Sequence, residues 1–151
     1  MGIVLENGRA RIESRRGLDW SSALADLTAT SAQLPARELV LDGEACVLLP
    51  DGRASFQAMQ NAFRGRRSGR VSLVYFAFDL LHLDGEDFAR LPLEQRKVRL
   101  QALARAPAGS PIRFCDHVVG HGPAVFEQAR RLGCEGHRIE AARAAASRRE
   151  E

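Results

Sequence analysis

The apolar positions of this chain change period several times, and each change marks an element. Between Gly2 and Ser14 two short runs flank Asn7-Gly8, the strongest two-residue hairpin signal. Pairing across that turn sets Ile3 against Ile12, Leu5 against Ala10 and Glu6 against Arg9. One face is then buried and the other pairs charges. Ser14-Arg15-Arg16-Gly17 ends the second strand. Asp19 or Ser21 caps a predicted helix in which Leu24, Leu27 and Leu34 recur at helical spacing until Pro35.

Leu39 to Leu49 alternates with period two. Leu39, Leu41, Ala45 and Val47 fall on one face and Asp42, Glu44 and Cys46 on the other. Pro50-Asp51-Gly52 turns the chain, and Phe56, Met59, Gln60 and Phe63 mark a short helix. Val71 to Phe78 is nearly continuous in apolar, β-branched and aromatic residues, as in a strand covered on both faces. It is expected to end in Asp79, ahead of the Asp84-Gly85 turn, and to be the central strand. Pro92 opens a helix with Leu93, Leu100 and Leu103 on one face. Ala106 to Pro111 is a small-residue loop, Ile112 to Val119 a strand, and Val125, Phe126, Ala129 and Leu132 a helix closed by Gly133. From His137 onward Ala and Arg dominate and no apolar stripe remains, so 137–151 is expected to be a frayed or solvated tail. Strands interleave with hairpins and helices, which predicts an α+β domain built on antiparallel sheets flanked by helices.

Composition narrows the function classes. The chain has 151 residues, 45% of them hydrophobic and 27% charged, which suits one domain with one core. No apolar run approaches the roughly 20 residues of a membrane-spanning helix, so a cytoplasmic location is expected. Three cysteines at wide spacing fit reduced thiols rather than a disulfide framework. The net charge is only +3, but of the 22 basic residues all except Lys97 are arginine. Arginine forks suit phosphates, whereas a lysine amine is the group that serves as a nucleophile.

Several residues are candidates for chemistry, each against a plainer alternative. Asp42 and Glu44 share a strand face as a catalytic carboxylate pair would, or are exposed charges on an edge strand. Phe78 is either a stacking surface or core. Arg15 is a phosphate contact or a solvated strand end. The segment from Arg64 to Arg70 holds four arginines, Arg64, Arg66, Arg67 and Arg70, and no acid, so it is a surface loop or a sequence-independent phosphate contact. Cys115, His117, His121, Cys134 and His137 are enough ligands for a small zinc-binding domain, though at no standard spacing.

Four stretches occur in a fixed order: Ser14-Arg15-Arg16-Gly17-Leu18-Asp19; Leu41-Asp42-Gly43-Glu44 with Asp51-Gly52-Arg53-Ala54-Ser55-Phe56; Tyr75-Phe76-Ala77-Phe78-Asp79-Leu80-Leu81; and Leu91-Pro92-Leu93-Glu94-Gln95-Arg96-Lys97. Cys134-Glu135-Gly136 follows. Together they resemble the adenylation (nucleotidyltransferase) domain of ATP-dependent DNA ligases, most closely that of bacterial end-joining enzymes, over about residues 3 to 136. The resemblance implies an incomplete ligase-type domain at 1–136, ATP and Mg²⁺ (or Mn²⁺) as cofactors, nicked or broken DNA as partner, and a role in DNA repair and recombination. It implies that Arg15 contacts ribose or phosphate, that Glu44 holds the ribose and a divalent metal, that Phe78 stacks on adenine and that Glu135 assists the metal.

In that family a K-x-D-G lysine attacks the α-phosphate of ATP, and the AMP then passes to a 5′-phosphate at a nick. No K-x-D-G motif lies within these 151 residues, and no Asp-Gly follows Lys97 at the motif's spacing. The two lysines that follow Glu-Gly in the family are also missing; here the chain continues His137-Arg138-Ile139-Glu140, as an out-of-frame reading of GC-rich DNA would. The resemblance therefore implies no catalytic nucleophile in this chain and no self-adenylation. It leaves a nucleotide- or DNA-binding module completed by a partner polypeptide as the alternative.

Overall fold

The computed structural model describes residues 1–50, 55–63, 72–103 and 110–115. The expectations for the Pro50-Asp51-Gly52 turn beyond Pro50, for Arg64 to Arg70, and for everything from 116 onward, Glu135 and the tail included, lie outside the described residues.

Strand β1 (Gly2–Glu6) and strand β2 (Arg9–Glu13) form the hairpin in the expected register, Ile3 opposite Ile12 and Glu6 opposite Arg9. Asn7 and Gly8 both take positive φ, 49° and 78°, as a tight primed turn requires. Helix α1 (Ala25–Ser31) is shorter than the leucine spacing predicts and begins after Leu24, with no side-chain cap. Neither Asp19 nor Ser21 caps it. The Asp19 carboxylate instead accepts the Ser21 amide at 2.8 Å, and the Ser21 hydroxyl accepts from the Ile12 amide, so both residues fasten a loop to β2. Leu24, Leu27 and Leu34 are nevertheless all buried.

Strand β3 (Glu38–Leu48) alternates as expected: Leu39, Leu41, Ala45 and Val47 are buried, while Glu44 is exposed and Cys46 half-buried. Helix α2 (Phe56–Phe63) follows and sets Phe63 against Trp20, ring centroids 4.5 Å apart. Strand β4 (Ser72–Leu83) runs past Asp79, the expected end, to Leu83 before turning at Asp84-Gly85 into β5 (Glu86–Asp87). The extension is possible because Asp79 does not face water. It is buried and ion-paired with Arg96, so a carboxylate fits inside the strand. A 3-10 turn (Phe88–Arg90) leads to helix α3 (Leu93–Leu103) and then to β6 (Ile112–Phe114).

The strands form one sheet in the order β2-β1-β3-β4-β5, with β6 also on β4. Among the described residues every strand pairing is antiparallel, as the α+β reading expects, except that of β4 with β6, which is parallel. Strand β4 is central, as predicted, and α3 packs against it. One core gathers Ile3, Leu5, Ile12, Leu27, Leu41, Tyr75, Leu80 and Leu100 from strands and helices alike. The architecture is α+β. Among the described residues no helix is long and apolar enough to cross a membrane.

Candidate functional site

Residues paired across neighbouring strands point to the same side of a sheet, so the register sorts the candidates by face. On the face away from the core, Glu44 of β3 stands opposite Phe76 of β4, and Phe76 opposite Arg113 of β6. Cys46 stands opposite Val74, one step along that face. The face combines an exposed carboxylate, an exposed guanidinium and a half-buried aromatic ring.

Phe78 lies beside this row at an irregularity. The register runs Asp42 to Asp79 and then Gly43 to Ala77, which leaves Phe78 as the extra residue of a β-bulge. A bulge bends the strand and re-aims a side chain, a device common next to binding sites. Phe78 is half-buried, neither sealed in the core nor fully exposed. The next residue, Asp79, is fixed. Its Oδ1 accepts from Arg96 Nε at 2.9 Å and from the Leu80 amide, while Arg96 Nη1 donates to the carbonyls of Leu91 and Ala89.

Arg15 sits at the tip of a tight turn at the end of β2. The Gly17 amide donates to the Ser14 carbonyl at 2.9 Å, and the Ser14 hydroxyl accepts from the Leu18 amide at 3.0 Å. Gly17 has φ 75°, a conformation that glycine takes at no steric cost. The turn presents Arg15 and Arg16 to solvent.

Asp42 and Glu44 share a face, as the alternation predicts, but their surroundings differ. Asp42 accepts from the Gly43 amide at 2.9 Å and lies 3.8 Å from the Met1 amine. Glu44 has no hydrogen-bond or ion-pair partner among the described residues. Burial pushes the Cys46 thiol up, Glu44 pushes it further, and Arg113 opposes.

Residues 1–140 match the model of the ATP dependent DNA ligase domain. The chain belongs to that family. It is 37% identical over 132 residues to the Multifunctional non-homologous end joining protein LigD of Pseudomonas aeruginosa, covering 87% of this chain and 16% of that protein. It is 36% identical over 134 residues to the LigD of Mycobacterium tuberculosis, covering 89% and 17%. The fold agrees as well. The ligase domain of M. tuberculosis LigD superimposes with TM-score 0.69 at 32% identity, covering 87% of this chain and 41% of that one. A mycobacterial DNA ligase D complexed with ATP and MES gives TM-score 0.68 at 31% identity, again covering 87% and 41%. The chain thus spans a small part of the curated relatives it matches.

Within this ligase domain the structure sets Glu44 on one open face, with Phe78 beside it on β4, and it presents Arg15 to solvent on a separate turn after β2. Sequence reasoning missed Arg113 and the Arg96–Asp79 pair. The alternation Ile112-Arg113-Phe114 marks Arg113 as outward-facing, but nothing in the sequence shows that β6 pairs in parallel with β4. Lys97 is buried, with its amine donating to the Cys115 carbonyl at 3.0 Å and standing 5.4 Å from the centre of the Phe114 ring. Of the zinc-ligand candidates only Cys115 is described. Among the described residues no three His, Cys, Asp or Glu side chains gather as a metal site.

Proposed function

We propose that this chain is the ATP-facing part of an end-joining DNA ligase adenylation domain, and that the whole protein seals broken DNA in repair. The observation that carries the reading is the open sheet face, where Glu44, without a hydrogen-bond or ion-pair partner among the described residues, stands beside the Phe78 bulge. The donor set suits a nucleotide. A half-exposed aromatic ring suits the base, a carboxylate suits ribose hydroxyls, and a guanidinium fork suits phosphate. Mg²⁺ keeps several waters and binds through one or two carboxylates plus substrate phosphates, so Glu44 would fit as one of its protein ligands. When bound, the ion neutralises phosphate charge. Phe78 then orients the base, and Glu44 with Arg15 fixes the sugar, which holds ATP in position for attack at its α-phosphate.

The nucleophile itself is the missing part. An attacking amine must be free and must reach the phosphorus, whereas the Lys97 amine is engaged at the Cys115 carbonyl beneath β6. The 151-residue polypeptide therefore binds ATP weakly and forms no covalent adduct. Intact-mass measurement after incubation with ATP and Mg²⁺ tests this. The expected spectrum contains unmodified chain only, and one added AMP would overturn the assignment. Mixing in a polypeptide that carries a K-x-D-G segment is expected to restore adenylation on that segment's lysine.

A further inference from the structure

Glu44 and Arg113 occupy one row on the open face, separated by Phe76. Neither has an ion-pair partner among the described residues. Two strand spacings, about 10 Å, separate their backbones, which is too wide for a direct salt bridge in place. Their fields still converge, since both act on the Cys46 thiol, and in opposite directions.

The strand under Arg113 is firmly seated. Ile112 is buried in the core, the Tyr75 amide donates to the Pro111 carbonyl at 2.7 Å, and the Cys115 amide donates to the Ala77 carbonyl at 2.8 Å. The neighbouring carbonyl of Cys115 is in turn held by the Lys97 amine. Arg113 is thus a permanently charged fork on a rigid strand with its head in the open. A site on a strand is held more precisely than one on a loop.

We propose that Arg113 binds a phosphate of the nucleotide whose sugar is held at Glu44. A polyphosphate chain leaving the ribose beside Glu44 would run across Phe76 and meet the guanidinium, spanning the two strand spacings between them. The inference rests on the ATP reading above and deepens it by assigning a residue to the polyphosphate. Arg113 is exposed and outside the core, so its replacement leaves the fold intact.

The test titrates the 151-residue chain with ATP and, separately, with adenosine, by calorimetry. It uses the parent chain, Arg113→Ala, Arg113→Lys and Phe78→Ala. A charge-assisted hydrogen bond to phosphate corresponds to about 10-fold to 100-fold in affinity. Arg113→Ala is therefore expected to weaken ATP by that factor and leave adenosine unchanged, with Arg113→Lys recovering part of the loss as a point charge without the fork. Phe78→Ala is expected to weaken both ligands. If Arg113→Ala binds ATP as the parent does while Phe78→Ala does not, the Arg113 assignment falls and the ATP reading stands. Equal losses for ATP and adenosine in Arg113→Ala also overturn it, because a phosphate contact cannot act on a nucleoside. A parent chain that binds no ATP overturns both.

Discussion

Gly43 lies buried on the core side of β3, under the ring of Tyr75 and beside the carbonyl of Phe76. An added Cβ would land on both, and a backbone carbonyl in a central strand has little room to yield. Gly43→Ala is therefore expected to destabilise the chain by about 1–3 kcal/mol, as overpacking does, read as a lower urea midpoint at unchanged slope. Tyr75 reaches across that glycine to donate its hydroxyl to the Met1 carbonyl at 2.8 Å, and burial pushes its phenol well above the ordinary range. A second residue-scale prediction concerns acid. The amides of Glu38 and Arg37 donate to the Asp84 carboxylate and hold its pKa below the ordinary 3.8. A depressed folded value means that the contribution is complete above the unfolded value and is lost as pH falls through the folded one. Asp84→Asn keeps an acceptor oxygen and suits the positive φ of 46°, but it does not titrate. Its stability is expected to fall less steeply than the parent's below pH 3.8. Equal acid slopes would contradict the assignment. At this scale the alternation of β3 made the outward Glu44 legible in advance. The partners of Asp84 were not legible, since they lie 46 and 47 residues away.

Strand β4 shows where sequence patterns stop at the scale of elements. Its apolar run marked it as central, but Asp79 read as a strand end because a carboxylate ordinarily seeks water. Arg96, from a helix whose leucine face was legible, reverses that by supplying a buried counter-charge and tying Leu91 and Ala89 to the same group. Removing one partner of such a pair is costly. Arg96→Met is expected to lose about 3–5 kcal/mol. Arg90→Ala, which breaks the exposed 3.2 Å pair with Asp87, is expected to lose about 0–1 kcal/mol. Denaturant titration of the two variants side by side checks the contrast, and comparable losses would contradict it. Helix α1 illustrates the reverse error. Asp19 and Ser21 are good capping types, yet the isolated bridge between Glu13 and Asp19 holds that segment to β2, and the helix starts later. Local propensity lost to a tertiary contact.

At the scale of the whole molecule, the order of short motifs carried more than any single pattern. Each stretch alone is weak, but their sequence and spacing already pointed to the ligase family before the fold was known. The family match and the superpositions bear that out. What the motifs could not provide is the relation between strands: the parallel seat of β6 and the bulge at Phe78 both depend on which strands pair. If this sheet face is the nucleotide site proposed above, ATP binds on it and meets no nucleophile among the 151 residues. Equilibrium dialysis of the 151-residue chain against labelled ATP and Mg²⁺, with Phe78→Ala in parallel and a denaturing wash of each sample, tests it most directly. Saturable binding by the parent chain is expected, with a loss of about 10-fold or more in Phe78→Ala from removal of base stacking, and no label left after denaturation. Equal binding by both chains, none by the parent, or label that survives the wash would contradict it.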